Sequence, residues 1–426
     1  MTWTVERRAV WLVLIVALAL RIVAACAVQQ YVSRTPGRLC LIAGDAEGYW
    51  ELAGKIVSGT DYSIFDPPRY LLRMPGFPLL LALPRLFTGD NPFVARLVLA
   101  LAATLACGLT YWLGRELAGH TVGLIASVYT AISPTMILFG VMFLSETAFA
   151  AAMLASLVAA ARLIQNTSQL KAVSIKRLIM QATVTGMLIG LATYMRPTWI
   201  LAGPALAFAV LLSDRGTFRT AFALAISVCL GLGLIMAPWT IRNWFITGHP
   251  IPTTLWVGPS LYDGLNPDAN GDSDMEFFER DKLLQSMSEY QMDREYRSRA
   301  WDYAINNPGR VVWLAWVKQL RYWSPAPGSA QFGDFRIRLI GWITVLPLFA
   351  LAAVGAWAAR NQWWLLILTG SPILYFAGLH LLFVGSLRYR LPAEYPLSVL
   401  AAFGLSQVWP SKSHSRPLES SRGIEN

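Results

Sequence analysis

Long apolar runs, separated by short polar segments, occupy most of the chain. Ten of these runs predict transmembrane helices: 9–28, 93–113, 122–135, 143–163, 178–194, 199–212, 218–237, 337–357, 363–384 and 391–409. A helix that crosses a bilayer needs about 20 predominantly apolar residues. The pattern therefore predicts an all-α, polytopic membrane protein with about ten transmembrane helices, whose boundaries are defined to within a few residues.

The first run begins after Arg7 and Arg8, and Arg21 interrupts it. A cleaved signal peptide is one interpretation, because residues 23–26 resemble a lipoprotein cleavage site. We favour an uncleaved first helix, which fixes the orientation of the later ones. Arg21 then lies about 18 Å from Ala9 along the helix axis. At that depth its side chain requires either snorkelling toward the outer interface or an anionic partner.

Composition supports a membrane protein and excludes other classes. Of the 426 residues, 55% are hydrophobic and 14% are charged, the mean hydropathy is +0.47 and the formal net charge is +10. A soluble nucleic-acid-binding protein would carry far more charge, and a disordered chain would be far less apolar. We therefore expect contact with membrane lipids and none with nucleic acid. The four cysteines are scattered and predict neither a disulfide framework nor a metal site.

The distribution of lysine and arginine predicts the orientation of the spans. With the amino terminus inside, the inner connections and the tail carry these residues: Arg115, Arg162, Lys171, Lys176, Arg177, Arg215, Arg219, Arg360, Lys412, Arg416 and Arg422. This is the positive-inside bias. It predicts one membrane domain (1–410) in the cytoplasmic membrane, with large outer loops at about 29–92 and 239–336, and a polar cytoplasmic tail (411–426). Function is expected in the two outer loops.

The first outer loop opens with a candidate helix that contains Asp45. Tyr49, Leu52 and Ile56 recur at helical spacing, which predicts an amphipathic helix on the outer membrane surface that ends near Gly59. Asp45 has two interpretations, either as the N-cap of this helix or as a general base at the water–lipid boundary. The local sequence does not choose between them.

A proline-dense turn at residues 67–78 follows in the same loop and carries Arg69 and Arg73. The apolar piece at 79–87 contains Pro84 and is too short to span a bilayer. We interpret this piece as a surface or re-entrant helix.

Charged residues also cluster at the outer ends of the predicted spans: Glu146, Arg196, Arg242, Arg388 and Arg390. An isolated interfacial arginine beside Trp or Tyr is usually a snorkelling anchor. Several arginines on one rim, together with Arg73, favour another interpretation, because a guanidinium binds phosphate and remains charged. They predict a site for an anionic headgroup at the outer leaflet.

The second outer loop contains a segment rich in Asp, Asn and Gly at 258–274, whose acidic residues do not follow an EF-hand register. We interpret it as a turn-rich loop over the substrate opening. Residues 277–306 are predicted to form a polar helix that Pro308 ends. Residues 308–323 either lie in the membrane interface or span the membrane.

The ordered set of these motifs resembles the GT-C membrane glycosyltransferases, specifically the bacterial branch related to protein O-mannosyltransferases and lipid A aminoarabinose transferases. The matching segments, from about Arg8 to Phe403, are 45–49, 73–79, 145–149, 194–197, 237–244 with Gly258, and 388–396. The resemblance implies a GT-C helical bundle, a sugar donor attached to a polyprenyl monophosphate, and transfer outside the cytoplasmic membrane. It also implies that the acidic residue of the first outer loop, here Asp45, is catalytic. Glu146 resembles a second acidic position near the active site, where relatives often have Asp.

The chemistry of the residues is compatible with this resemblance. A sugar phosphate already has a good leaving group, so the enzyme needs a base for the acceptor hydroxyl and cations for the departing phosphate. Asp45 is the predicted base for a direct, inverting attack. The predicted phosphate ligands are Arg73, Arg196, Arg242, Arg388 and Arg390, and the secondary site candidates are Glu47, Tyr49 and Arg21. Neither a cofactor nor a metal site is predicted, although Glu47 beside Asp45 leaves a divalent metal open.

Two other functions stay open on the sequence alone. The first is a lipid or sugar transporter or flippase, because intramembrane charges also mark transport pathways. The second is a non-catalytic envelope assembly protein. The enzyme is favoured because the polar groups gather on one side and no two halves of the chain look alike. The sequence does not identify the sugar, which is a hexose or a pentose. It does not identify the acceptor either, which is a glycan, a lipid or a protein.

Overall fold

The computed structural model describes residues 2–42, 44–167, 173–212, 217–326 and 334–409. Throughout these ranges the regular structure is helical, apart from one isolated bridge between Ile64 and Arg69. The predicted all-α class is therefore confirmed. Parts of the orientation pattern lie outside the described residues: Lys171, Arg215 and the predicted tail at 411–426.

In the described part of the chain, six helices are long and apolar enough to cross a membrane. Numbered in chain order, they are α1 (Thr2–Ser33), α4 (Pro92–Ala118), α7 (Glu146–Thr167), α8 (Ile175–Met195), α10 (Phe218–Thr247) and α15 (Phe335–Ala358). Four shorter apolar helices accompany them: α3 (Gly76–Thr88), α5 (His120–Ile132), α9 (Ala202–Leu211) and α16 (Trp363–Leu379). With α17 (Leu387–Val408), each of the ten predicted runs coincides with a helix.

The remaining helices are short or belong to the two long connections: α2 (Asp45–Ser58), α6 (Pro134–Phe139), α11 (Val257–Gly264), α12 (Glu276–Asp281), α13 (Glu289–Asn306) and α14 (Pro308–Trp323). The helix predicted for 277–306 is divided, because Lys282 adopts a left-handed conformation (φ 47°) that ends α12. Its second part ends just before Pro308, as predicted.

The helix predicted in the first outer loop is present as α2, but its apolar face does not lie on a membrane surface. Tyr49, Trp50 and Leu52 are buried within the protein, and the ring of Tyr49 meets Phe77 of α3 edge-on, with centroids 4.9 Å apart. Helix α3 supplies an apolar surface that the sequence pattern did not pair with α2. Because aromatic burial is strongly favourable, the two helices pack on each other.

Helix α10 is longer than predicted. The apolar run ends near residue 237, but the helix continues to Thr247 with Pro238 inside it. Proline is tolerated in a long membrane helix where neighbouring groups satisfy the freed backbone atoms. Arg242 is therefore carried on a rigid helix and not on a loop.

Helix α17 lies at the centre of the bundle. It packs against α4, α5, α7, α15 and α16, and most of its side chains are buried. Within it, Arg390 and Glu394 are buried one helical turn apart and form an ion pair at 2.7 Å.

Arg21 on α1 is fully buried, and its partners are backbone carbonyls. Its guanidinium donates to the carbonyl oxygens of Ala17 (3.0 Å), Thr130 (2.9 Å) and Ala131 (3.2 Å), and it lies 3.3 Å from Cys107 Sγ. Both sequence interpretations, snorkelling and an anionic partner, are therefore wrong. The physical reason is that the last carbonyls of a helix, here α5, lack intrahelical partners and carry partial negative charge.

Helices α8 and α10 approach each other closely through glycine. A Cβ atom added to Gly231 would lie 2.1 Å from the carbonyl oxygen of Thr183, and one added to Gly186 would lie 2.0 Å from that of Val228. Small residues of this kind let helix backbones pack closely inside membranes.

We expect Gly231→Ala to lower the free energy of unfolding by about 1–3 kcal/mol, because the added methyl group forces α8 and α10 apart. Gly233→Ala is the matched control on the same helix, since the space around Gly233 is open. It should leave stability unchanged or raise it slightly, because alanine favours helix. Thermal unfolding in detergent measures both variants, and equal unfolding temperatures would contradict the close approach.

Candidate functional site

A cavity of about 380 Å³ lies where the connection at 29–92 meets the end of α8, the start of α17 and the connection at 239–336. Five of the residues predicted from the sequence line it: Asp45, Tyr49, Arg73, Arg196 and Arg388. Glu146, the first residue of α7, is fully buried beside these arginines. The fold thus brings together residues that are up to 343 positions apart, counted from Asp45 to Arg388.

An alternating series of charges forms one side of the cavity. Asp45 Oδ1 accepts a hydrogen bond from Arg73 Nη2, and Asp45 Oδ2 lies 2.8 Å from Arg388 Nη1. Arg388 Nε also donates to Glu146 Oε1, which lies 3.1 Å from Arg196 Nη1. Three cations and two carboxylates are therefore joined in one network.

Asp45 is not the N-cap of α2, so the capping interpretation is wrong. Gly44 holds the cap position and Asp45 is the first helical residue. The oxygens of Asp45 bind two arginines in place of helix amides. Glu47 instead reaches back to the amide nitrogen of Gly44, with Oε2 3.4 Å away. Glu47 is exposed and does not line the cavity.

A proline and a glycine bring Arg196 and Arg73 to the same place. Pro197 disfavours a helical conformation at the residue before it, so α8 ends there and Arg196 is extended, with φ −147° and ψ 123°. Gly76 packs against this end of α8, where a Cβ atom would lie 2.6 Å from the carbonyl oxygen of Tyr194. The turn that carries Arg73 therefore lies beside the end of α8.

Arg388 lies in the first turn of α17. Ser386 caps this helix, with its hydroxyl oxygen 3.3 Å from the amide nitrogen of Arg388. The ring of Tyr389 contacts two of the cations, with its centroid 5.9 Å from the guanidinium carbon of Arg388 and 5.4 Å from that of Arg196. Aromatic faces attract cations, which helps to hold the two like charges near each other.

The arginines also determine the ionisation of Asp45. Burial penalises its charged form, but the guanidiniums of Arg73 and Arg388 outweigh this effect and hold the pKa of the carboxyl well below its ordinary value. Burial likewise opposes the charged form of Arg73, but Asp45 raises the pKa of its guanidinium above the ordinary value. Both groups are therefore charged at neutral pH.

Three buried polar atoms of this network make no well-oriented hydrogen bond among the residues described: Arg73 Nε, Glu146 Oε2 and Arg196 Nη1, whose contact with Glu146 Oε1 at 3.1 Å is an ion pair. Buried polar atoms are rarely left without a partner in native proteins. Two of the three are nitrogens of arginines that line the cavity. Their hydrogen-bonding capacity suits an anion with several oxygens.

Arg242 does not line the cavity, although the sequence predicted it as a phosphate ligand. Its guanidinium donates to the carbonyl oxygens of Tyr62 and Tyr70, both at 3.2 Å. The carboxylate of Glu289 on α13 accepts hydrogen bonds from the amides of Tyr70 (2.9 Å) and Leu71 (3.0 Å). Arg242 and Glu289 thus fasten the segment that leads into the turn bearing Arg73.

Arg390 lies on another face of α17 from Arg388 and does not line the cavity. Its donors bind Glu394 Oε1 (2.7 Å) and the carbonyl oxygens of Tyr322 (2.5 Å) and Ser324 (3.0 Å). Residues two positions apart in an α-helix are separated by a rotation of about 200° around its axis. The structure therefore does not support Arg390 as a phosphate ligand, and Arg21, held at α5, does not line the cavity either.

The sequence reasoning missed Asp263 as a site residue. Helix α11 places Asp263 on the cavity, together with Ser273 and Met275 of the loop that follows. The density of Asp, Asn and Gly was interpreted only as turn-forming. Leu261 and Leu265 gave no signal for its burial, because residues two positions apart on a helix lie on different faces.

Within the described ranges, no three His, Cys, Asp or Glu side chains converge in a way that could hold a metal ion. Both oxygens of Asp45 are bound by arginines. The divalent metal that the sequence left open gains no support from this arrangement.

Known proteins resemble this chain at two levels. Residues 72–241 match the family model of dolichyl-phosphate-mannose-protein mannosyltransferase. The Archaeoglobus fulgidus oligosaccharyltransferase AglB, in complex with an inhibitory peptide and a dolichol-phosphate, has a TM-score of 0.55 and 16% identity, over 98% of this chain and 52% of AglB. The apo form of the oligosaccharyltransferase from the same organism has a TM-score of 0.54 and 15% identity, over 95% of this chain and 50% of its own.

A third solved structure, ArnT from Cupriavidus metallidurans bound to undecaprenyl phosphate, has a TM-score of 0.42 and 16% identity, over 94% of this chain and 77% of ArnT. No curated protein sequence matches the chain significantly. The fold is that of the GT-C membrane glycosyltransferases, which confirms the resemblance indicated by the sequence motifs. The chain spans about half the length of the oligosaccharyltransferases that it matches.

The contacts of Arg390 predict a structural role. Arg390→Met should lower the free energy of unfolding by about 3–5 kcal/mol, because it leaves the carboxylate of Glu394 buried without its cation. The double variant Arg390→Met, Glu394→Leu should recover most of this loss, since no buried charge remains. Thermal unfolding in detergent tests both, and a single variant as stable as the wild type would contradict the structural role.

Proposed function

We propose that this protein transfers a hexose or pentose from a polyprenyl-phosphate-linked donor to an acceptor hydroxyl. The observation that carries the proposal is the cavity in which Asp45 lies between Arg73 and Arg388, with Arg196 beside them. Two further findings support a lipid-linked donor. Residues 72–241 match the mannosyltransferase family model, and AglB, which shares the fold, binds a dolichol-phosphate.

The charges of the network suit such a donor. Arg73, Arg196 and Arg388 supply three positive charges, and Asp45 and Glu146 supply two negative ones. The remaining single positive charge matches the single negative charge of a phosphodiester that joins a sugar to a lipid. When the sugar leaves, a second negative charge develops on the phosphate, and arginines already in place stabilise it most effectively.

In this mechanism Asp45 accepts the proton of the acceptor hydroxyl while that oxygen attacks the anomeric carbon. The bond between the sugar and the phosphate breaks on the opposite side, so the anomeric centre is inverted and no covalent enzyme intermediate forms. With two arginines bound, the low pKa of Asp45 makes it a weak base. A donor phosphate competes for the same guanidiniums, which raises the pKa of Asp45. Donor binding therefore prepares the base.

We place this reaction at the outer face of the cytoplasmic membrane, with the amino terminus inside. The positive-inside bias puts both loops that line the cavity on that side. Helix α14 suits the membrane interface, because Val312, Trp313 and Trp316 are exposed along it while Lys318 is buried. Its 16 residues extend about 24 Å, which is short of the roughly 30 Å of a hydrocarbon core. We therefore infer that 308–323 lie in the interface.

Asp45→Asn is expected to reduce sugar transfer by about 10²- to 10⁴-fold, the contribution of a general base. The affinity for undecaprenyl phosphate should stay equal or increase, because the carboxylate no longer competes for Arg73 and Arg388. Transfer is measured by mass spectrometry of envelope lipids and glycans. The cells lack the wild-type protein and produce one variant each. Titration of the purified protein measures binding.

Glu51→Gln is the matched control for this variant, because it removes an exposed carboxylate from the same helix. It should leave both transfer and binding near the wild-type level. Retained transfer by Asp45→Asn would remove Asp45 from the role of base.

Arg388→Met should weaken undecaprenyl phosphate binding by about 10- to 100-fold, since a charge-assisted hydrogen bond contributes about 1.5–3 kcal/mol. Arg294→Met controls for the loss of net charge, because Arg294 is an exposed residue of α13. Titration of each purified protein in detergent measures the affinity. An affinity of Arg388→Met equal to that of the control would contradict the phosphate site.

A further inference from the structure

A second carboxylate, Asp263, faces the same cavity as Asp45 from the second outer loop. These two are the acidic residues that line the cavity in the described part of the chain. Asp263 is only 4% exposed, so the small part of it that is accessible faces the cavity. Its surroundings differ from those of Asp45 in a way that indicates a separate task.

Hydrogen bonds from the following loop orient Asp263. Its Oδ2 accepts from the hydroxyl of Ser273 at 2.7 Å, and its Oδ1 accepts from the amide nitrogen of Asp274 at 2.8 Å. Within the described ranges no arginine or lysine nitrogen lies within 4.0 Å of this carboxylate. An ionised carboxylate has about four acceptor sites, so each oxygen can still accept a further hydrogen bond.

Lys318 is a buried cation that attracts this carboxylate through its charge but does not contact it directly. The ammonium of Lys318 donates to the carbonyl oxygens of Leu382 (2.6 Å) and Leu381 (3.3 Å). Burial raises the pKa of the Asp263 carboxyl to about 6, although the hydrogen bonds from Asp274 and Ser273 oppose this rise. The group is therefore mainly ionised at neutral pH and, unlike Asp45, has no cation in direct contact with it.

Close backbone packing holds Asp263 in place relative to Arg388. A Cβ atom added to Gly264 would lie 2.3 Å from the carbonyl oxygen of Leu382, so the end of α11 packs directly on the connection between α16 and α17. That connection leads within a few residues to Arg388. The carboxylate and the proposed phosphate ligand are thus positioned by one shared contact.

We propose that Asp263 binds the acceptor, with its carboxylate accepting a hydrogen bond from an acceptor hydroxyl. This inference rests on the proposed function. A negative group would repel the phosphate of the donor, so Asp263 is unsuited to binding that phosphate. Ser260 and Thr254, whose side chains also carry hydroxyl groups, line the cavity as well. The cavity then has arginines for the phosphate and a carboxylate with hydroxyl groups for the incoming nucleophile.

The test compares transfer with donor-lipid binding in Asp263→Asn. Transfer in cells, measured by mass spectrometry of envelope lipids and glycans, should fall about 10- to 100-fold, the effect of losing a charge-assisted hydrogen bond. Binding of undecaprenyl phosphate to the purified protein should stay within about twofold of the wild type, because the arginines are unchanged. Asp268→Asn is the matched control, since Asp268 is an exposed acid of the same loop, and both readouts should match the wild type.

Two results would overturn this assignment: unchanged transfer by Asp263→Asn, or a loss of undecaprenyl phosphate binding as large as the loss of transfer. If Asp263→Asn unfolds at a lower temperature, Ser273→Ala decides, because it keeps the carboxylate and removes one orienting hydrogen bond. Ser273→Ala should reduce transfer several-fold with unchanged lipid binding, and full transfer would overturn the proposal. Failure of the proposed function would look different: envelope glycans would be identical in cells with and without the wild-type chain, which would overturn both.

Discussion

The ion pairs of Arg388 with Asp45 and Glu146 are the interaction on which the rest of the site depends. They join three elements that are far apart in the sequence: the start of α2, the start of α7 and the first turn of α17. Buried charges are costly unless they are paired. The network therefore requires all three helix ends to meet, and it keeps Asp45 ionised where an isolated buried carboxyl would become neutral.

A second set of contacts joins this network to the two long connections, 29–92 and 239–336. Arg242 and Glu289 bind backbone groups of the segment between Tyr62 and Leu71 from two different elements, α10 and α13. That segment leads directly into Arg73, so the connection at 239–336 supports the placement of a residue from the connection at 29–92. Binding groups on loops are positioned by rigid elements in many folds, and here two charged side chains make that connection.

The sequence could predict the helices and the residue types of the site, but not the direction in which each side chain points. Apolar runs located ten helices because apolar length is a direct property of the chain. Arg388 and Arg390 could not be distinguished, because the run was placed from residue 391 and the helix begins at Leu387. Once both arginines are helical, a two-residue offset turns them to different faces. Asp263 was missed for a related reason, since the short helix α11 was interpreted as a turn.

Burial and charge alone do not distinguish the candidate phosphate ligands from the other arginines, but the nature of their partners does. Arg21 and Arg242 donate to fixed backbone carbonyls, and Arg390 donates to two carbonyls and its own helical neighbour Glu394. Those carbonyls belong to the backbone, so a ligand cannot take their place without moving the chain. Arg73, Arg196 and Arg388 are paired instead with carboxylate side chains at the edge of a cavity. A phosphate can compete with a carboxylate for the same donors at little structural cost, so these three arginines can exchange one anion for another.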